Sequence, residues 1–383
     1  MKILAIDISG KVEKYDNALY KCVSQTLPPQ NVFTFACPYY SITNAQNSLY
    51  LCSLVPKQFR HSRNICKRLL KVVEAIINYI IVLRYIKKEH IDVLHLQWLP
   101  FMDVCAIEGL WLKAIRKMNP EIKIIMTMHN IYPHNSSAAQ KLTYRKRIQS
   151  ILSLIDFWIV HTQYAEKKLE TEYGIERHKI QIIHHGIFIP ETTIPPRKRR
   201  TDRKIRILLY GLQSAYKGTD ILIESIQLLP HSYKKKLEVQ IIGATESSFY
   251  NKYKNDAMQE NIIWINQYVS ESDLLQYIQD ADVLIFPYRS ITQSGALLLG
   301  LYFQKPLLVS NLPAFRETLG EEYPNSLIFE SNDSQALANS IKRYIDNPLD
   351  ITKIKSIIKK LIDNNSWQQA ANKTIELYHS IAQ

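Results

Sequence analysis

Glycine is scarce, with 10 residues in a chain of 383, which excludes collagen-like and linker-rich architectures. Cysteine is scarcer still. The five cysteines, Cys22, Cys37, Cys52, Cys66 and Cys105, include no Cys-x-x-Cys pair, so neither a dithiol redox site nor a zinc clamp is indicated. An odd count confined to the first third reads as free thiols in a reducing compartment. Long apolar runs are missing too. The longest stretch, Leu69 to Tyr85, is interrupted by Lys71, Glu74, Asn78 and Arg84, short of the roughly 18 uncharged residues that a spanning helix needs. The opening Met1-Lys2-Ile3-Leu4-Ala5-Ile6-Asp7 has neither the apolar core nor the cleavage site of a signal peptide. These absences predict a soluble, cytoplasmic protein, with association to the inner face of a membrane left open.

What is present is ordinary for a globular chain: 46% hydrophobic and 22% charged residues, enough apolar side chains for two cores. Charge is distributed unevenly. Residues 1–189 hold 25 Lys and Arg against 14 Asp and Glu, whereas residues 207–383 hold 16 against 19. A basic half beside a mildly acidic one points to an anionic surface for the first half; nucleic acid, anionic lipid and a phosphorylated substrate all qualify.

Short Ile/Val/Leu runs recur between longer amphipathic stretches. In the first half they are Ile3–Ile8, Val32–Ala36, Ile91–Leu96, Ile122–Met128, Phe157–His161 and Ile180–His184. In the second they are Ile205–Tyr210, Leu237–Gly243, Ile262–Ile265, Val283–Pro287, Leu307–Ser310 and Leu327–Phe329. Continuous rather than alternating runs predict parallel strands covered on both faces, hence two doubly wound α/β domains. Three prolines and a basic run between Pro190 and Arg206 predict a linker. The domains are therefore expected at 1–189 and 207–383, with the last helix free to pack back on the first. Ligands in such sheets sit beyond the carboxyl ends of the strands, and polar residues gather there. His95, Gln97 and Trp98 end one run, His129, Asn130 and His134 follow the next, and His161, His184 and His185 end two more. Each histidine alone reads as a structural one; as a group they suit proton transfer or hydrogen bonds to a hydroxyl or phosphate.

In the second half, Tyr210-Gly211-Leu212-Gln213-Ser214-Ala215-Tyr216-Lys217-Gly218 places a glycine turn and a lysine at a helix start, without Walker spacing. Ser294-Gly295 opens an apolar helix, either as a plain N-cap or as a second set of phosphate-binding amides. Asp280-Ala281-Asp282 mimics a metal-binding Asp-x-Asp, but it directly precedes a buried strand and reads as capping or solvated carboxylates.

This order of signals resembles the glycosyltransferases with two facing Rossmann-like domains across a cleft, the GT-B fold, nearest glycosyltransferase family 4. The resemblance covers most of the chain, through Val93–His95, Thr127–His134, Val160–Thr162, His185-Gly186, Tyr210–Gly218 and Asp282–Glu317. It implies transfer of a sugar from a nucleotide-diphosphate donor, usually with retention and without a metal or other cofactor. Residue by residue it implies donor contacts at Gly10, Tyr216, Lys217, Gly218, Tyr268, Gln293, Ser294, Gly295 and Glu317. It also implies His95 and His129 as the catalytic candidates, with Gln97, Asn130, His134 and His161 lining the acceptor side. Two features depart from the family. No arginine precedes Lys217 in Leu212-Gln213-Ser214-Ala215, and the paired glutamates expected on the donor ribose fall on Ile291 and Leu299. For the ribose, Tyr288-Arg289 and Thr292-Gln293 are the neighbouring groups available instead.

The expected function is transfer to a lipid-linked or cell-surface glycan acceptor. Residues 57–90, with Lys57, Arg60, Arg63, Lys67, Arg68 and Lys71 among Ile and Leu, suit contact with an anionic membrane or, equally, a packed helix with a solvated face. Two alternatives stand beside this reading. One is a donor-binding relative without catalysis. The other is a basic nucleic-acid-binding protein, for which no recognition motif is present, so no specific nucleic acid is expected.

Overall fold

The computed structural model describes residues 1–38, 47–55, 65–102, 104–133, 136–190, 192–194, 196–197, 203–347 and 350–382, and of residues 65–68 the backbone alone. The chain divides into two compact units, Met1–Gly186 with Ser366–Gln383, and Ile187–Asn365. The second unit thus opens at Ile187 rather than at 207. Its first and last residues are joined, the Ile187 amide donating to the Asn365 carbonyl at 2.9 Å.

The first unit alternates strand and helix: β1 (Lys2–Asp7), α1 (Glu13–Thr26), β2 (Val32–Pro38), β3 (Asn47–Leu51), α2 (Ile65–Glu89), β4 (Val93–Trp98), α3 (Ile107–Met118), β5 (Lys123–Thr127), α4 (Ala138–Gln149), β6 (Phe157–Val160), α5 (Gln163–Lys168) and β7 (Ile180–Ile182). Its seven strands are all parallel in the order β3-β2-β1-β4-β5-β6-β7. β3 was not expected. Its Asn-Ser-Leu-Tyr-Leu sequence lies at the sheet edge, where cover is thin and a continuous apolar run is not required.

The second unit holds β8 (Ile205–Tyr210), α6 (Thr219–Gln227), α7 (His231–Lys234), β9 (Leu237–Ile242), α8 (Ser247–Gln259), β10 (Ile263–Ile265), α9 (Glu271–Asp280), β11 (Val283–Phe286), α10 (Gly295–Tyr302), β12 (Leu307–Ser310), α11 (Pro313–Leu319), β13 (Ile328–Phe329), α12 (Ser334–Asp346) and α13 (Ile351–Asp363). Its six strands are parallel in the order β10-β9-β8-β11-β12-β13. Both sheets reverse direction beside their first strand, between β1 and β4 and between β8 and β11, which is where doubly wound sheets open a crevice at their carboxyl edge.

Helix starts follow the expected capping chemistry. Asp333 accepts the Ala336 amide at 2.8 Å, and Ser366 accepts that of Gln369 at 3.2 Å at the head of α14 (Trp367–Ile381). This last helix belongs to the first unit and lies along α1. Asp282 is structural, accepting the Arg206 amide at 2.8 Å and pairing with Arg197. Among the described residues no helix is long and apolar enough to cross a membrane.

Candidate functional site

Two groups of residues occupy the carboxyl edges, one in each unit. In the first unit the ends of β4, β5, β6 and β7 deliver a connected row of histidines. His161 Nδ1 donates to the Ile183 carbonyl at 2.9 Å. Its Nε2 lies 3.2 Å from His129 Nδ1. His129 Nε2 lies 3.1 Å from Gln97 Oε1. The Gln97 Nε2 donates to the Tyr20 hydroxyl and lies 3.2 Å from His95 Nε2. His95 closes the row, its Nδ1 2.6 Å from the Tyr378 hydroxyl and its Nε2 2.8 Å from Thr127 Oγ1.

Burial keeps this row neutral. Desolvation lowers His95 to about 3 and His161 to about 4, and it lowers His129 well below its usual range, with the neighbouring histidines acting in the same direction. His185 is pushed down to about 3, chiefly by burial, and its Nδ1 donates to the Gly186 carbonyl at 2.6 Å. Tyr15 of α1 packs against His129, His161, His185 and Trp367 at ring distances of 4.7, 5.2, 5.1 and 5.3 Å.

His95 is 0% exposed and hydrogen bonded through both ring nitrogens. It lies next to Gln97, which is equally enclosed. His161 is likewise buried and orients His129. His129 and Asn130 are half-exposed, as is Trp98, which carries the Lys11 ammonium 5.8 Å above its ring. Gly10, with φ of 59°, closes the β1 exit by donating its amide to the Asp7 carbonyl at 3.3 Å. His134 lies outside the described residues, as do residues 57–64 and the side chains of Lys67 and Arg68. Nothing local in the sequence marks Tyr20, Tyr378 and Trp367 as partners of the row, since two of them stand on α14, far along the chain.

Asp7 and Asp16 form a second buried group beneath Gly10. Asp7 accepts the amides of Ser9 at 3.1 Å and Val12 at 3.0 Å. Asp16 is 1% exposed, and burial together with Asp7 raises its carboxyl well above the usual range.

In the second unit, β8 ends at Tyr210 and one tight turn, Ala215–Lys217, precedes α6. Gly218 is required there. Its φ is +68°, and an added Cβ would stand 1.9 Å from the Pro287 carbonyl oxygen. Lys217 is 7% exposed; its ammonium lies 5.5 Å from the Tyr288 ring centroid and makes no ion pair among the described residues. Burial lowers its pKa. Ser294 caps α10 by accepting the Leu297 amide at 3.2 Å, while Gly295 at the first turn is exposed.

Arg289 is engaged by neighbouring side chains. Its guanidinium pairs with Asp220 at 2.9 and 2.8 Å and reaches Asn332 Oδ1 at 2.8 Å. Gln213, which stands where the cation was sought, is buried and accepts the Thr219 hydroxyl at 2.7 Å. Ile291 and Leu299 pack against the hydrophobic core. Tyr216, Gln293 and Glu317 are half-buried, whereas Tyr268 is 83% exposed on the loop after β10, where Asn266 accepts the Thr245 amide at 2.8 Å. Among the described residues no group of three or more His, Cys, Asp and Glu side chains is arranged to hold a metal ion.

The family model described as glycosyl transferases group 1 matches residues 191–361, and that of glycosyltransferase family 4 matches residues 47–189. A GDP-mannose:glycolipid 4-beta-D-mannosyltransferase of Xanthomonas campestris pv. campestris is 22% identical over 227 residues, covering 57% of this chain and 60% of the relative. The chain therefore spans about 60% of the length of the curated relatives it matches. Among solved structures, a glycosyltransferase from Rickettsia africae ESF-5 has 18% identity and a TM-score of 0.68, with 100% of this chain and 98% of the other covered. Anabaena HepE, solved in complex with UDP, has 11% identity and a TM-score of 0.68 over 99% and 100% of the two chains. At such identities the structures establish a shared fold.

Proposed function

We propose that the chain, whose residues 191–361 match the group 1 glycosyltransferases and whose residues 47–189 match family 4, moves a sugar from a nucleoside diphosphate to a lipid-linked or cell-surface glycan acceptor. The observation that carries the donor assignment is Lys217, a buried cation at the β8–β11 switch point with no ion pair among the described residues. As the glycosidic bond breaks, negative charge grows on the departing diphosphate. Lys217 and the free amides at the start of α10 oppose that charge, which makes a divalent metal unnecessary. Tyr216, Gly218, Gln293 and Glu317 complete the donor side in this reading, with exposed Tyr268 against the nucleotide base. The apolar Ile291 and Leu299 leave the ribose to other groups.

On the acceptor side, His129 and Asn130 face the reacting sugars, while Gln97 and His161 hold the ring of His129. With Nδ1 beside His161 and Nε2 beside Gln97, His129 serves as a neutral, oriented ring that packs against the sugars rather than as a base. Retention of anomeric configuration fits this arrangement, since such a route does not require a protein carboxylate as base. Lys11 above Trp98 offers a cation to an acceptor phosphate. The Xanthomonas relative, named for a glycolipid acceptor, supports the lipid-linked class.

The test is a thermal-shift series with nucleoside diphosphates and their sugars, with and without divalent metal, on the native chain and on Lys217→Ala. One nucleotide class is expected to stabilise the native chain independently of metal. Lys217→Ala should weaken that binding or turnover by about 2–4 kcal/mol. An unchanged response in the folded variant would remove the phosphate assignment.

A further inference from the structure

The helix α2 is mounted with its polar residues inward. Glu74, 2% exposed, accepts the amides of Leu54 at 2.8 Å and Val55 at 3.3 Å. One turn on, Asn78 accepts the Cys52 amide at 2.8 Å and donates to the Cys52 carbonyl at 3.0 Å. These contacts fix the roll of the helix about its axis. With 74 and 78 turned in, positions 69, 73, 76 and 80 must turn out. They are Leu69, Val73, Ile76 and Ile80, exposed by 63, 47, 41 and 44%. A stripe at this spacing ordinarily faces a core; here it faces away from one.

The surroundings of the stripe are cationic. β3 to β4, β4 to β5 and β5 to β6 all advance in one direction along the sheet, so right-handed crossovers place α2, α3 and α4 on the same face. In sequence these three helices carry thirteen Lys and Arg against three Asp and Glu. Two of the three acids, Glu74 and Glu108, are buried. Leu110 on α3 and Leu142 on α4 add further exposed apolar side chains to the layer. α2 also starts at the sheet edge where the strands end, so its apolar turns lie toward the edge that bears His129.

We propose that the outer face of the α2–α3–α4 layer docks on an anionic lipid bilayer, with Leu69, Val73, Ile76 and Ile80 entering the headgroup–acyl boundary. Apolar side chains ringed by cations match that boundary, which is apolar below and anionic above. A second copy of the chain matches it poorly, because a self-complementary contact would bring two strongly basic layers together. Nucleic acid would leave the apolar stripe without a partner. The proposal deepens the lipid-linked acceptor reading and rests on it for its purpose, while the surface itself is tested without donor or acceptor.

The experiment is co-sedimentation of the full chain with phosphatidylcholine vesicles and with vesicles containing phosphatidylserine or phosphatidylglycerol, at low and high salt. The native chain should bind the anionic vesicles about tenfold or more above the neutral ones and release them in high salt. Val73→Asp with Ile76→Asp should lose about tenfold in vesicle binding while the nucleotide thermal shift persists. Absence of anionic-vesicle binding, or binding that the double variant leaves intact, overturns the proposal. So does a stable dimer that the variant converts to monomer, or duplex DNA displacing the vesicles. A missing nucleotide shift would instead count against the donor reading and leave the vesicle result to stand by itself.

Discussion

Arg289 grips Asp220 at two points, Nη1 on Oδ1 at 2.9 Å and Nη2 on Oδ2 at 2.8 Å, and the same Nη1 donates to the Ala215 carbonyl at 2.5 Å. Its own amide donates to the Tyr216 carbonyl at 2.7 Å. Asp220 stands in the first turn of α6, so one side chain holds both ends of the turn that presents Lys217. A planar guanidinium can make these contacts together; an ammonium cannot. Arg289→Lys is therefore expected to weaken nucleotide binding about tenfold while the fold persists. Asp220→Asn should cost less when added to it than alone, with a coupling of about 1–2 kcal/mol. Additive effects in a double-mutant cycle on nucleotide affinity would show that the pair does not position the turn.

The buried histidines set a direction for acid sensitivity. His95 and His185 are lowered to about 3 and His161 to about 4, below the unfolded value of about 6.5. The unfolded chain thus binds these protons first as pH falls. The stability they allow is complete above about 6.5 and declines from there down to the folded values, by about 1.4 kcal/mol per pH unit for each ring. Asp7 and Asp16 act oppositely, since burial raises both carboxyls and acid relieves their cost. Denaturant midpoints at pH 8 and pH 5 should fall more steeply for the native chain than for His161→Gln. Equal slopes would mean that His161 titrates normally in the folded state.

A close packing contact in the first unit gives a third test. A Cβ at Gly186 would lie 2.4 Å from Cδ2 of Trp367, well inside contact distance, and the indole is 9% exposed. Gly186→Ala should lower stability by about 2 kcal/mol or more, and Trp367→Leu in the same chain should restore part of that loss. Should the alanine variant melt like the native chain, the contact is not as tight as described.

Much of the fold can be read from sequence because parallel strands buried on two faces must be continuously apolar. The Ile3–Ile8 and Val283–Pro287 runs enclose β1 and β11 within a residue or two. The edge strand β3 escaped because nothing forces such a run there. The glycine turn that carries Lys217 and Gly218 can be read from local spacing, a cation beside a glycine at a helix start. The enclosure of His95 cannot, because a strand-end histidine looks the same whether it faces solvent or a tyrosine hydroxyl contributed 283 positions later. Nor can the pairing of Arg289: its partner Asp220 is distant in sequence, and an arginine gives no local sign of being already paired.

Since α14 completes the first unit, the whole of Ile187–Asn365 is an insertion within it. During synthesis the ribosome must deliver all of the second unit before the helix carrying Trp367 and Tyr378 emerges. Until then Tyr15, Tyr20 and His95 lack their cover, and the nascent first unit exposes aromatic surface that a chaperone would recognise. The second unit, contiguous and fully encoded, can fold during that wait, so the part made later is able to mature earlier.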